Sequence, residues 1–124
     1  MTTDETTTLK QLRISIKEFI DARDWNKYHN PKDLAISISL ESSELLEIFQ
    51  WLDKEEIEYQ LKNSNLIEKI MEELSDVMIY CISLSNALDI DLSKAIQHKI
   101  QTNVSKYPID KSKGIYRKPY ETEN

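Results

Sequence analysis

Residues 67–88 read IEKIMEELSDVMIYCISLSNAL. Ile67, Ile70, Met71, Leu74, Val77, Met78, Cys81, Leu84 and Leu88 recur at three- and four-residue steps, a wide apolar stripe that only a helix gathers on one side. The stretch predicts one long helix of about two dozen residues. It also carries Glu73 and Asp76, whose three-residue gap puts both carboxylates on one face.

The rest of the chain is helical as well. Upstream, Asp53 with Glu56 forms an acidic variant of the capping box and opens a short helix with Ile57 and Leu61 inward, ended by Asn63, Ser64 and Asn65. Asn30 before Pro31 is an N-cap followed by proline at the first helical position, and a helix from there to about Trp51 carries the ladder Leu34, Ile38, Glu41, Leu45, Ile48, Leu52. Leu9, Leu12, Ile16, Phe19 and Ile20 predict a first helix from about residue 8 to Arg23, joined to the second by the connector Asp24 to Asn30. Downstream, Asp91 caps a last helix with Leu92, Ala95, Ile96, Ile100 and Val104 inward, which stops before Pro108. The expectation is an all-α bundle of four to five helices in one domain, residues 1–124. Its core spans about residues 9–107, and a basic, irregular tail spans 108–124.

Composition agrees. The 124 residues include one glycine and three prolines, too few for an all-β chain built on tight turns, and 40% are hydrophobic, enough for a modest core. The single cysteine, Cys81, sits in an apolar run, which excludes an internal disulfide and suits a reducing cytoplasm as a small core residue. The start MTTDETTT is polar, and no apolar run reaches the length of a membrane span, so the chain is expected to be soluble and not exported. The net charge of −6 is uneven: residues 1–98 hold ten basic against nineteen acidic residues, whereas 99–118 hold six basic residues against Asp110 alone. An acidic body repels a nucleic-acid backbone, which argues against duplex binding. A short basic segment beside clustered carboxylates suits a small polyanion, although it equally suits a solvated tail.

Glu41 falls on the core-facing ladder of the second helix, and an ionised acid there is costly unless a cation or proton compensates it. Glu41 and Glu44 lie about 60° apart and about 4.5 Å along the axis, and Glu73 and Asp76 repeat that geometry. Four hard oxygen donors without histidine or thiolate favour Mg²⁺, with Mn²⁺ as a substitute, over zinc or copper. A di-iron bundle needs Glu-x-x-His pairs, and neither His29 nor His98 has a glutamate three positions before it. Glu47 extends the first series another 60° or so round the helix, as a candidate base or a solvated side chain. Trp51 follows Glu44, and Tyr80 follows Glu73, by seven residues, each displaced about 10.5 Å along the helix from its acid. That is roughly the reach from the phosphates of a nucleotide to its base, although core aromatics share the same spacing.

The string ESSELLEIFQW (41–51) followed by EELSDVMIY (72–80) resembles the MazG-like nucleotide pyrophosphohydrolases, all-α relatives of dimeric dUTPases and phosphoribosyl-ATP pyrophosphohydrolases. The likeness is to the dCTP pyrophosphatase branch and extends to RDWNKYHNPKDL (23–34), KIQTNVSKYP (99–108) and the SKG of the tail, covering about residues 9–118. It implies that Glu41, Glu44, Glu73 and Asp76 hold Mg²⁺, that Trp25 and Trp51 stack on a base and that His29 lies beside it. It further implies that Tyr80 and Asn103 face the sugar and that Lys99, Lys106, Lys111 and Lys113 contact phosphates. Ile16 departs from the pattern, standing where that branch has a histidine near the base.

The reaction the resemblance implies is cleavage of a (d)NTP, such as dCTP, between the α and β phosphates to the monophosphate and diphosphate, with Glu44 or Glu47 taking the proton from water. The resemblance also implies a homodimer or homotetramer, and Ile36, Leu40, Leu46 and Phe49 agree with it by putting apolar surface outside the first ladder. A dUTPase or phosphoribosyl-ATP pyrophosphohydrolase is the rival in the same class. A helical interaction module, its acids merely hydrated, is the rival from another.

Overall fold

The long stripe folds as expected: α4 runs Leu66–Ala87, 22 residues. A computed structural model describes residues 1–115, in which the further helices are α1 (Leu9–Ala22), α2 (Pro31–Phe49), α3 (Lys54–Asn63), α5 (Leu92–Lys106) and the single turn α6 (Ile109–Ser112). A 3-10 turn, Asn26–Tyr28, fills the connector between α1 and α2. Among the described residues there is no strand, and no helix is long and apolar enough to cross a membrane.

The starts of the helices follow from their caps. Gln11 N–H donates to Thr8 Oγ1 at 3.2 Å while Thr8 N–H donates to Gln11 Oε1 at 2.7 Å, a reciprocal capping box that starts α1. Asn30 accepts from Asp33 N–H at 2.9 Å with Pro31 in the first turn, Asp53 accepts from Glu56 N–H at 2.8 Å, and Asp91 accepts from Lys94 N–H at 3.0 Å. The α1 and α4 ends share a less common device. Each closes with a residue in the left-handed region, Asp24 (φ 52°) and Asp89 (φ 53°), in a chain whose one glycine is elsewhere.

The described chain divides into two compact units, residues 1–90 and residues 91 onward. In the first, α2 packs principally on α4, with α1 also on α4 and a smaller contact from α3. Leu34 on α2 is 1% exposed, and Ile20, Leu66 and Ile82 are buried with it. The α2 ladder is buried at Leu34 and half-buried at Ile38, Glu41, Leu45 and Ile48, and Leu52 just beyond the helix is half-buried as well. Two serines sit in this core without penalty because Ser83 Oγ donates to Ile79 C=O at 2.8 Å and Ser85 Oγ to Ile82 C=O at 2.7 Å. Arg13 and Asn86 clamp α1 to α4: Arg13 Nε donates to Asn86 Oδ1 at 2.9 Å, and Asn86 Nδ2 donates back to Arg13 C=O at 3.1 Å.

Three expectations are corrected. First, α2 stops at Phe49, with Gln50 as its cap, so Trp51 lies just beyond the helix. Second, apolar residues assigned inward are partly open: Leu12, Phe19, Leu61, Ile67, Met71, Leu74, Met78, Leu88 and, on α5, Ile96, Ile100 and Val104 are all exposed in the single chain. Helical periodicity identifies a face but not what covers it. Third, the tail from residue 108 is not wholly irregular, since Pro108 with its fixed φ introduces the turn α6. The remainder of that tail, residues 116–124, lies outside the described residues. Cys81 is half-buried on α4 as a free thiol.

Candidate functional site

The α2–α4 packing brings the two acid pairs together. One carboxylate oxygen each from Glu41, Glu73 and Asp76 lies within 4.8 Å of the others, a separation that a single cation can bridge. Glu41 and Glu73 are half-buried and Asp76 is exposed, so the cluster has an enclosed floor and an open side. Glu41 Oε2 and Glu73 Oε2 are shielded from water yet have no hydrogen-bond donor. Enclosed oxygens of this kind need a proton or a metal, because two ionised carboxylates offer each other no donor.

Glu44 completes the four. It lies outside the tightest trio, but its carboxyl stands within hydrogen-bonding reach of both Glu41 and Glu73. A proton shared with Glu44, then desolvation and repulsion from Glu44, Asp76 and Glu73, pushes the Glu41 carboxyl up from 4.5 to about 7. Glu73 is also raised, first by desolvation, then by Glu44 in the same way and by the charges of Asp76 and Glu72. Glu41 and Glu73, both held toward the neutral form by their acidic neighbours, fit a site for a divalent cation, and the oxygen-only donor set suits a hard one.

From this cluster a groove of about 590 Å³ opens between α2, α3 and α4, lined by Glu44, Glu47, Ile48, Leu52, Gln60, Leu66, Lys69, Glu72 and Glu73. Glu47 therefore shares a cleft with Glu44. A second hollow of about 500 Å³ lies beside Met71, Glu72, Glu73, Ser75 and Asp76. Glu72 and Lys69 were not singled out by the sequence reading. The signal was present in the Glu72–Glu73 doublet, with Lys69 one helical turn before it, but such patterns are common on solvated helices.

At the next level along α4, Tyr80 is half-buried and meets His29 of the connector, with ring centroids 6.4 Å apart and planes inclined by 33°. His29 Nδ1 is enclosed without a partner. Trp25 is 43% exposed beside Phe19, whereas Trp51 is 84% exposed and forms no wall of either hollow. In the second unit, Lys99, Asn103 and Lys106 are exposed on α5 within about 60° of one another, and Lys111 and Lys113 are exposed on and just after α6.

The model of the MazG-like family matches residues 36–121, running through both units. The chain belongs to the MazG-like family. It is similar to dCTP pyrophosphatase 1 of Bos taurus, 36% identical over 107 residues, and of Homo sapiens, 34% identical over 111 residues. These alignments cover 86% and 90% of this chain but 63% and 65% of those proteins, so the chain spans under two thirds of the curated relatives it matches. A crystal structure of a pyrophosphatase from Archaeoglobus fulgidus superposes with a TM-score of 0.75 at 37% identity, covering 87% of this chain and 99% of that one. Membership of this family agrees with an acidic cluster able to hold a divalent metal.

Proposed function

We propose that this protein is a Mg²⁺-dependent nucleoside triphosphate pyrophosphohydrolase that converts a (d)NTP, with dCTP favoured, and water to the (d)NMP and diphosphate. The observation that carries the reading is the pair of enclosed, donorless oxygens on Glu41 and Glu73 beside Asp76, held by two packed helices. The similarity to dCTP pyrophosphatases at 34–36% identity supports the substrate class.

Glu41, Glu44, Glu73 and Asp76 would hold the cation, Mg²⁺ or Mn²⁺ in its place. The chemistry such an ion supplies is neutralisation of phosphate charge and acidification of water. The new O–P bond forms at the α phosphorus as the bond to the α–β bridging oxygen breaks, and diphosphate leaves. The proton released by water passes to a carboxylate, for which Glu44 and Glu47 line one groove. Trp25 and Trp51 stack on the base, His29 borders it, and Tyr80 and Asn103 face the sugar. Lys99, Lys106, Lys111 and Lys113 supply positive charge for the phosphates.

The protein acts as a homodimer or homotetramer. Leu40, Leu46 and Met71 are each at least 60% exposed, surface that a second copy would cover. A neighbouring copy would also give Trp51, open in the single chain, a base pocket to close. The deciding experiment incubates the protein with Mg²⁺ and each ribo- and deoxynucleoside triphosphate while assaying monophosphate and diphosphate. Equimolar release of the two, fastest with dCTP, is the expected result; inorganic phosphate as the sole product would refute the reading.

A further inference from the structure

Trp25 sits at the end of a helix that cannot continue. After Ala22, Asp24 N–H donates to Asp21 C=O at 3.1 Å and Trp25 N–H reaches back to Ile20 C=O at 3.1 Å, with Asp24 between them in the left-handed region. This is the Schellman closure, and it delivers the residue after the left-handed one back onto the last turn of its own helix. Here that residue is Trp25, and the side chain it meets is Phe19, with ring centroids 5.7 Å apart and planes at 76°, an edge-to-face pair.

Phe19 is held in turn. The Arg23 guanidinium lies 3.8 Å from the centroid of its ring and donates to Phe19 C=O at 2.9 Å, fixing Arg23 by backbone as well as by ring. The same guanidinium is 6.0 Å from the Trp25 ring. Asn26 donates to Asp21, tying the chain after Trp25 back to α1. Phe19 and Trp25 are 48% and 43% exposed. Two large rings that stay this open contribute little to a core, so the effect of the arrangement is on the direction of the indole.

We propose that Phe19, backed by Arg23, is a positioning residue that fixes the Trp25 indole as a preset platform for the substrate's nucleobase. The inference rests on the reading above that Trp25 stacks on the base. Without Phe19 the indole would sample several rotamers, and ordering it would be charged against substrate binding rather than against the chemical step. A left-handed aspartate carries a conformational cost, and the two returning backbone bonds and the ring pair offset it.

The test uses the full chain with Mg²⁺ and dCTP. Phe19→Ala and Phe19→Leu should each raise KM several-fold, up to about tenfold, the range to which an aromatic pair's contribution converts, with kcat changed by less than about twofold. Phe19→Tyr keeps the ring and should restore the KM of the unsubstituted protein. In a Trp51→Phe background the emission of Trp25 should shift to the red in Phe19→Leu and return in Phe19→Tyr. Phe19→Leu keeps apolar volume, so it reads the ring's effect even where Phe19→Ala fails to fold. If Trp25→Ala raises KM while Phe19→Leu leaves KM and emission unchanged, the positioning role is overturned. A fall in Tm and kcat for Phe19→Leu at constant KM would likewise assign Phe19 to structure alone. If Trp25→Ala itself leaves KM unchanged, the stacking reading fails first, a separate result.

Discussion

Glu44 stands one helical turn from Glu41 and close enough to share a proton with it, and that proximity holds the Glu41 carboxyl near neutrality, at about 7 against an ordinary 4.5. Between those two values the folded chain keeps a proton that the unfolded chain has released. Stability of the metal-free protein therefore falls as pH rises through this window, the reverse of a salt-bridged carboxylate. Glu73, raised for related reasons, adds in the same direction. Calorimetry of chelator-treated protein from about pH 5 to about pH 8 should show a declining Tm. Added Mg²⁺ should restore it, more at the alkaline end, because metal binding requires ionised carboxylates. A Tm that climbs with pH in the absence of metal would contradict the clustered geometry.

Removing an acid should separate activity from folding. Glu44→Ala is expected to lower kcat by at least about a hundredfold, the scale of losing a group that organises transition-state charge. The helical circular-dichroism signal should persist, and the metal-free Tm should rise as repulsion around Glu41 and Glu73 is relieved. The Glu44→Ala, Glu73→Ala double variant should lose its calorimetric heat of Mg²⁺ and Mn²⁺ binding. Retained metal affinity in the double variant would favour acids that are only a hydrated surface.

Leu34 shows how much of the fold was legible in the sequence. The ladder from Leu34 to Leu52 could be read from spacing alone, as could the caps at Thr8, Asn30, Asp53 and Asp91, because local hydrogen bonding and period carry those signals. The meeting of Glu41 with Glu73 and Asp76 was legible in part, since Glu41 falls on the inward ladder of α2 and Glu73 and Asp76 share one face of α4. The end of α2 was placed at about Trp51 instead of Phe49 because no glycine or proline announces it. The openness of Met71, Ile96 and Val104 was hidden for another reason: amphipathic spacing is the same whether a face is covered by its own chain or by a second copy. Leu34→Ala should cost about 2–5 kcal/mol in urea denaturation, the range for a cavity in a packed core.

Leu40 is 61% exposed on the side of α2 away from Leu34. A lysine there is harmless on a solvated monomer but cannot be buried between copies. Leu40→Lys is expected to shift the protein to monomer in sedimentation velocity, with secondary structure intact and turnover reduced, if closure of the base pocket by a neighbour's Trp51 contributes to activity. An unchanged sedimentation coefficient would place the contact between copies elsewhere. Trp51→Ala, at an 84% exposed position, should alter stability by no more than about 0.5 kcal/mol while raising KM.

Ile16 is half-buried on α1, one helical turn before Phe19, at the position for which the resemblance to the dCTP branch implies a histidine. An apolar side chain contributes no hydrogen bond to the exocyclic groups that distinguish one pyrimidine from another, and apolar pockets discriminate such near-isosteres only weakly. The unsubstituted protein should therefore separate dCTP from the other pyrimidine triphosphates by less than about a hundredfold in kcat/KM. Ile16→His introduces a donor and an acceptor at the same depth, and where the base lies against them it should raise the preference for dCTP. Burying an imidazole without a partner costs about 1–3 kcal/mol, so the gain should come with a lower Tm in substrate-free protein and a partial recovery on adding nucleotide. Steady-state assays of the four common deoxynucleotides plus dUTP measure this directly. A histidine that lowers Tm but leaves the ratio of kcat/KM values untouched would place the base away from α1.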